Sequence, residues 1–177
     1  MAFNHVAFAT RDLAATHAFY TEVMGFRLAK VVAAPTDTPG GWARHVFYDT
    51  GDGELMAFWD LHDPSIPADF PTAISTGMGL PAWVNHVAFA APSLEALEEH
   101  RERWRANGHT VVEVDHGFCV SIYLTDPNGI LVEFCCNTRE LDAADAAEAE
   151  ALLSAETPPL SAVPDVRFFR PVVPASS

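Results

Sequence analysis

Two histidines and one glutamate stand where their side chains could bind one metal ion. His5 and His86 occupy the same place in two copies of one hexapeptide, and Glu133 interrupts an apolar run. A carboxylate between Val132 and Phe134 in a central strand loses several kcal/mol of hydration unless a cation or strong donors meet it. Two imidazoles and one carboxylate form the facial set that leaves open positions on non-haem Fe(II), and Mn(II) accepts the same ligands. The sequence therefore predicts an Fe(II) or Mn(II) site at His5, His86 and Glu133.

An internal repeat organises the elements that must position these side chains. The segment Asn4–Ala9 recurs letter for letter as Asn85–Ala90, and each copy is followed by a helix cap, Asp12 or Ser93. Both copies continue in the same predicted order, which makes each half a βαβββ unit. The helices are predicted over 12–24 and 93–106, and the later strands over 26–32, 44–49 and 54–60 in the first half and over 110–114, 119–124 and 130–136 in the second.

Strand alternation decides which side chains share a face of each predicted sheet. In the first copy His5 lies on the same face as Ala7 and Ala9, while the bulkier Val6 and Phe8 point to the other face. The second copy repeats this pattern. Because the helix should pack on the bulky side, we expect both histidines on the concave face. The predicted fold class is α+β, with two tandem βαβββ modules forming a cupped half-barrel around one metal site.

Composition shifts mark the domain boundaries. The first module is predicted over residues 1–60 and the second over 84–138, joined by a proline-rich linker at 61–83. Residues 139–177 differ from the rest, with an Ala/Glu-rich stretch at 142–153 that favours a surface helix and a Pro-rich end that favours an extended arm. A lid, a dimer arm or disorder would each suit this tail.

The repeated unit, the histidine on its first strand and the ending Asp126–Phe134, which reads DPNGILVEF, together resemble the vicinal oxygen chelate superfamily. This superfamily includes glyoxalases, bleomycin-resistance proteins and type I extradiol dioxygenases, and the resemblance covers residues 3–136. The pattern is closest to the extradiol members. Ala57 aligns with Glu133 where the first half would carry a second carboxylate, so this chain offers three ligands, whereas glyoxalase I-like members resemble four-ligand sites.

The resemblance also implies acid–base residues. In extradiol enzymes a tyrosine at the spacing of Tyr123 from Glu133 hydrogen-bonds the substrate oxygen, and a histidine shortly before it, here His116, assists. Many members place a further acid–base histidine before the second ligand; this chain has none on that strand, and the nearest candidate is His45, which aligns with Ser121. Each residue also has a structural alternative: a core aromatic for Tyr123, a loop position for His116 and a partly exposed strand position for His45.

Composition excludes several classes of function. The 177 residues carry 10 Lys and Arg against 24 Asp and Glu, a net charge of −14 that repels nucleic acids and anionic membrane surfaces. With no apolar run long enough to span a bilayer and no secretion signal, the sequence favours a cytoplasmic protein. Three cysteines, two of them adjacent, indicate reduced thiols in strands.

These observations lead to an Fe(II)-dependent extradiol-type dioxygenase that cleaves a catechol-like aromatic diol with O2, with His116, Tyr123 and His45 moving protons. A homodimer is expected, because such cups often pair in this superfamily and twofold assembly is the commonest. Two alternatives stay open. One is a glyoxalase- or epimerase-like metal-dependent isomerase, and the other is a metal-free, drug-sequestering protein of the bleomycin-resistance type, for which the acidic charge would attract a cation.

Overall fold

Two mixed sheets form the frame of the molecule, in an α+β fold built from two βαβββ-like modules. The computed structural model describes residues 3–51 and 53–172. The first sheet has the strand order β1-β4-β3-β2, and in it β1 runs parallel to β4. Its strands are β1 (His5–Thr10), β2 (Arg27–Pro35), β3 (Trp42–Asp49) and β4 (Leu55–His62).

The second sheet repeats this arrangement and adds one strand. Its order is β5-β8-β7-β6-β9, again with the first strand of the module parallel to the last. The added strand comes from the C-terminal segment and pairs antiparallel with β6 at the outer edge. The bounds are β5 (His86–Ala90), β6 (Val111–Asp115), β7 (Cys119–Thr125), β8 (Leu131–Asn137) and β9 (Asp165–Phe169).

Each module has one helix after its first strand, and the predicted caps are confirmed. Asp12 accepts a hydrogen bond from the Ala15 amide at the start of α1 (Leu13–Ala18), and Ser93 caps α3 (Leu94–Ala106) in the same way. Beyond α1 the chain widens into a π-helix over Phe19–Val23, a feature that the predicted helix over 12–24 did not include. Its buried residues are Phe19, Tyr20 and Val23, so the wider turn serves the core.

One core joins the two modules. Even-numbered residues of β3 and β4, such as Tyr48 and Phe58, pack in the same cluster as Ile122, Phe134 and the α3 residue Trp104. Since the helical side of both sheets is used for this core, the other side of each sheet is left facing outward. The exposed residues of β1 and β5 are those that alternation assigned to the concave faces, and the two sheets do not close on each other.

The linker and the tail are more ordered than their composition indicates. The linker contains the short helix α2 (Ile74–Gly77), and the tail contains α4 (Ala143–Ser154), which begins with an Asp142–Asp145 capping box and has no buried residue. After α4 the chain returns to the body as β9. No helix within residues 3–51 and 53–172 is long and apolar enough to cross a membrane.

Candidate functional site

The outward face of the second sheet brings His86 and Glu133 into contact. Glu133 lies opposite Ala88 on one side and Tyr123 on the other, and its side chain is only 7% exposed. Its Oε2 atom is 3.2 Å from His86 Nε2. The small Ala88 leaves space above the carboxylate, as the alternation of the repeat predicted. An imidazole nitrogen and a carboxylate oxygen at this separation are donors that suit a divalent cation of the iron or manganese type.

Hydrogen bonds orient both repeat histidines in the same way. The Nδ1 atom of His86 donates to the carbonyl oxygen of Trp83 at 3.1 Å, and Nδ1 of His5 donates to Oδ1 of Asn4 at 2.7 Å. Since both acceptors are oxygens without a proton, each ring keeps the lone pair of Nε2 for another partner. Metal-binding histidines are commonly held by such a bond on the second nitrogen.

Tyr123 lies between Glu133 and His116 on the outward face. Its hydroxyl is 3.0 Å from Nε2 of His116, and Glu133 is the residue directly opposite it on β8. Burial and, to a lesser degree, the charge of the nearby Glu133 raise the pKa of Tyr123 to about 12, so the hydroxyl keeps its proton at neutral pH. His116, Tyr123, Glu133 and His86 therefore follow one another across the sheet.

The outward face of the first sheet carries the other two histidines. The rings of His5 and His45 lie 5.8 Å apart, and His45 stacks on Trp59 at 3.8 Å. Burial and, to a lesser degree, the nearby His5 lower the pKa of His45, so its ring is neutral at pH 7. Its Nε2 atom has no hydrogen-bond partner among the described residues. Ala57 lies opposite Phe47 on this face, where the second half has Glu133 opposite Tyr123.

The chain by itself brings together two of the three predicted metal ligands. Within residues 3–51 and 53–172, no group of three His, Cys, Asp or Glu side chains is close enough to hold a metal ion. His86 and Glu133 meet on the second sheet, while His5 lies beside His45 on the first. His5 and His86 are both exposed, so each sheet presents one histidine to another molecule, with the buried Glu133 beside His86.

Some contacts of the site could not be predicted from a local pattern in the sequence. The Trp83 carbonyl that orients His86 comes from the linker, where no side-chain direction could be assigned. The two repeated asparagines make different contacts. The Asn4 side chain accepts from His5, whereas at Asn85 the backbone N–H donates to Ser75 Oγ. The stack of His45 on Trp59 follows from the β3–β4 register, which places the two residues directly opposite.

The comparisons with known proteins agree with this fold. The family model described as "Glyoxalase/Bleomycin resistance protein/Dioxygenase superfamily" matches residues 2–134. A glyoxylase/bleomycin resistance protein/dioxygenase domain from Frankia sp. EAN1pec is 18% identical, with 77% of this chain and 98% of that chain covered and a TM-score of 0.56. The fosfomycin resistance protein FosX from Listeria monocytogenes is 19% identical, with 78% and 94% covered and a TM-score of 0.53.

A third similar structure is TnmS3, an antibiotic binding protein from Streptomyces sp. CB03234, at 16% identity, 78% and 97% coverage and a TM-score of 0.50. None of the curated proteins compared matches the chain. At these identities the solved structures establish the shared fold.

Proposed function

We propose that the chain, which belongs to the Glyoxalase/Bleomycin resistance protein/Dioxygenase superfamily, is a metal-dependent enzyme that cleaves a catechol-like aromatic diol with O2 in the extradiol manner. The observation that carries the proposal is the position of Tyr123, which contacts His116 and lies directly opposite the metal-ligand candidate Glu133 on the outward face. The tyrosine and the histidine that the resemblance nominates as acid–base residues thus adjoin a proposed ligand.

The proposed ligands are His5, His86 and Glu133, with Fe(II) as the cation and Mn(II) as an ion that the same donors accept. Since His5 lies on a different outward face from the other two, the site needs a second copy of the chain. In a twofold pair, the first module of one copy would face the second module of the other, and two equivalent sites would form. The acidic Glu133 and the paired imidazoles of His5 and His45 are complementary across such an interface.

When bound, Fe(II) would supply a Lewis acid for the substrate diol and an electron path to O2. The remaining steps belong to side chains of the chain. Tyr123, which keeps its proton at neutral pH, donates a hydrogen bond to a substrate oxygen, and its neighbour His116 supplies or receives the proton at the phenolic oxygen. His45, whose lowered pKa keeps its ring neutral at pH 7, is the proposed acceptor of the proton from the second substrate hydroxyl. Its Nε2 atom is buried and has no hydrogen-bond partner among the described residues, so the substrate has to displace what covers it.

A second candidate is a protein that binds a flat small molecule without transforming it. Exposed indoles favour this reading, because Trp59 and Trp42 are 38% and 40% exposed at the outward face and rim of the first sheet. The net charge of −14 would attract a cationic ligand. TnmS3, which is described as an antibiotic binding protein, gives this alternative a precedent in the shared fold.

Oxygen uptake separates the two candidates. We would load the protein with Fe(II) anaerobically, add a panel of catechols and record both O2 consumption and the coloured ring-opened product. The proposal predicts turnover, a decrease in kcat of about 100-fold or more in Tyr123→Phe, and unchanged iron content in that variant. Tyr48→Phe is the matched control, since its hydroxyl contacts His17 on the helical side of the first sheet. Tight ligand binding without O2 uptake, with iron bound, would favour the binding protein.

A further inference from the structure

Two of the three thiols lie beside Glu133 on the same outward face of the second sheet. Cys135 follows Glu133 on that face of β8, and it is opposite Ala90 on β5 and Ser121 on β7. Cys119 is the next residue along β7 on this face and is therefore the diagonal neighbour of Cys135. The two thiols are diagonal neighbours on one face of the sheet, Cys119 buried and Cys135 partly exposed. A solute can thus reach the pair from the Cys135 side.

The third thiol has a different environment. Cys136 lies on the opposite face of β8, inside the hydrophobic core with Ile122 and Phe134. Adjacent cysteines in sequence are therefore separated by the sheet, and only one of them belongs to the thiol pair. This contrast supplies an internal control for any chemistry of the pair.

The register favours a bridged pair of thiols over a disulfide. Diagonal neighbours in an antiparallel sheet have Cα atoms about 7–8 Å apart, beyond the separation of about 4.4–6.8 Å that disulfides usually span. A cation bound between two sulfurs spans a longer distance than a direct S–S bond. All three cysteines are free.

A buried hydroxyl beside the pair is an independent indication of a ligand. Ser121 is fully buried, and its Oγ atom has no hydrogen-bond partner within residues 3–51 and 53–172. It follows Cys119 on the same face of β7 and lies opposite Cys135 on β8. Buried polar atoms are normally satisfied, so an unpaired hydroxyl at the thiol pair points to a group that is bound there.

We propose that Cys119 and Cys135 form a binding site for a soft monovalent cation of the Cu(I) class, with the Ser121 hydroxyl directed at the bound ion. On binding, each thiol releases one proton to solvent and each sulfur donates one electron pair to the cation, with no change of oxidation state. Thiolate pairs select such ions, whereas Fe(II) and Mn(II) prefer the nitrogen and oxygen donors of His86 and Glu133. Two neighbouring sites on one face would thus bind different metal ions, because their donor atoms differ in softness.

Copper titration tests this site without reference to enzymatic activity. The full chain would be titrated anaerobically with Cu(I) in competition with bicinchoninate, and stoichiometry would be read by native mass spectrometry. We expect one Cu(I) per chain and a loss of affinity of about 100-fold or more in Cys135→Ser and in Cys119→Ser, with Cys136→Ser unchanged. Equal losses in all three variants, or Cu(I) binding that survives Cys135→Ser, would overturn the proposal.

A second measurement covers the case in which Cys119→Ser fails to fold, since that residue is buried. In the wild-type protein, bound Cu(I) should slow alkylation of Cys135 by iodoacetamide at least tenfold, as mapped by peptide mass. Alkylation of Cys135 at the same rate with and without Cu(I) would contradict the site. Loss of Cu(I) binding in His86→Ala with retained Cys135 reactivity would instead assign the copper to the histidine, and would also overturn it.

Discussion

Replacing Glu133 by glutamine should leave the metal-free protein at least as stable as the wild type. The Glu133 side chain is 7% exposed, and its neighbour His86 is 39% exposed. A contact so open to water contributes about 1 kcal/mol or less, whereas burying a carboxylate costs several kcal/mol. Glutamine keeps the size and the polarity of the side chain without its charge. We therefore expect the free energy of unfolding to change by between zero and about +2 kcal/mol.

Glu113 is the matched control, because it is an equally buried acid with a structural partner. Its side chain is 10% exposed and lies 2.8 Å from Nη1 of Arg101, which is itself 15% exposed. Glu113→Gln removes the most buried of the three carboxylates around that guanidinium and leaves Glu98 and Glu102 in place, so the free energy of unfolding should fall by about 2 kcal/mol. The two substitutions make the same chemical change, but their effects on the free energy of unfolding are predicted to differ in sign or by at least about 2 kcal/mol.

Urea denaturation of both variants after chelator treatment measures these differences. Repeating the experiment with Mn(II) at 100 times its dissociation constant should stabilise the wild type by about 2.7 kcal/mol and leave Glu133→Gln unaffected. If Glu133→Gln loses as much stability as Glu113→Gln in the metal-free state, Glu133 is a structural acid. The reasoning that assigns it to a cation would then be refuted.

Two further predictions concern the shared core. The Tyr20 hydroxyl donates to Oδ2 of Asp126 at 3.0 Å between the modules, and both residues are buried. Tyr20→Phe should therefore lower the free energy of unfolding, measured by urea titration, by about 1–3 kcal/mol. A variant as stable as the wild type would contradict this link. Burial, together with the charge of Arg103, lowers the pKa of His100 from 6.5 to about 4. Between these two pH values the unfolded chain binds the proton more readily than the folded chain. The free energy of unfolding of the wild type should therefore decrease as the pH falls from about 6.5 to about 4. His100→Gln should reduce that loss by about 1 kcal/mol after allowance for solvent screening, and an unchanged pH profile would contradict the assignment.

Much of the fold could be predicted because its evidence in the sequence is local. The repeated hexapeptide placed β1 and β5, strand alternation assigned His5 and His86 to the outward faces, and Asp12 and Ser93 marked the helix starts. These features depend on spacing within a few residues. The Ala/Glu-rich stretch at 142–153 likewise forms a helix, over 143–154.

The rest depends on contacts between distant segments. Strand β9 pairs with β6 across more than fifty residues, and its proline-rich surroundings indicated only an extended arm. The relation of His5 to Glu133 depends on how the two sheets pack, which the shared core of Tyr48, Phe58 and Phe134 decides. No local pattern reports such packing, so the sequence could nominate three ligands without showing that one chain separates them.

Complementation between two inactive variants tests the central claim that one metal site combines His5 of one copy with His86 and Glu133 of another. His5→Ala and Glu133→Ala would each be purified without metal, mixed in equal amounts, unfolded and refolded together, and titrated with Mn(II) by electron paramagnetic resonance. A shared site predicts that each variant alone binds Mn(II) weakly, while the mixture recovers about a quarter of the wild-type tight sites, because half of the pairs are mixed and each mixed pair has one intact site. Recovery of no tight site in a mixture shown to contain mixed pairs would contradict the account.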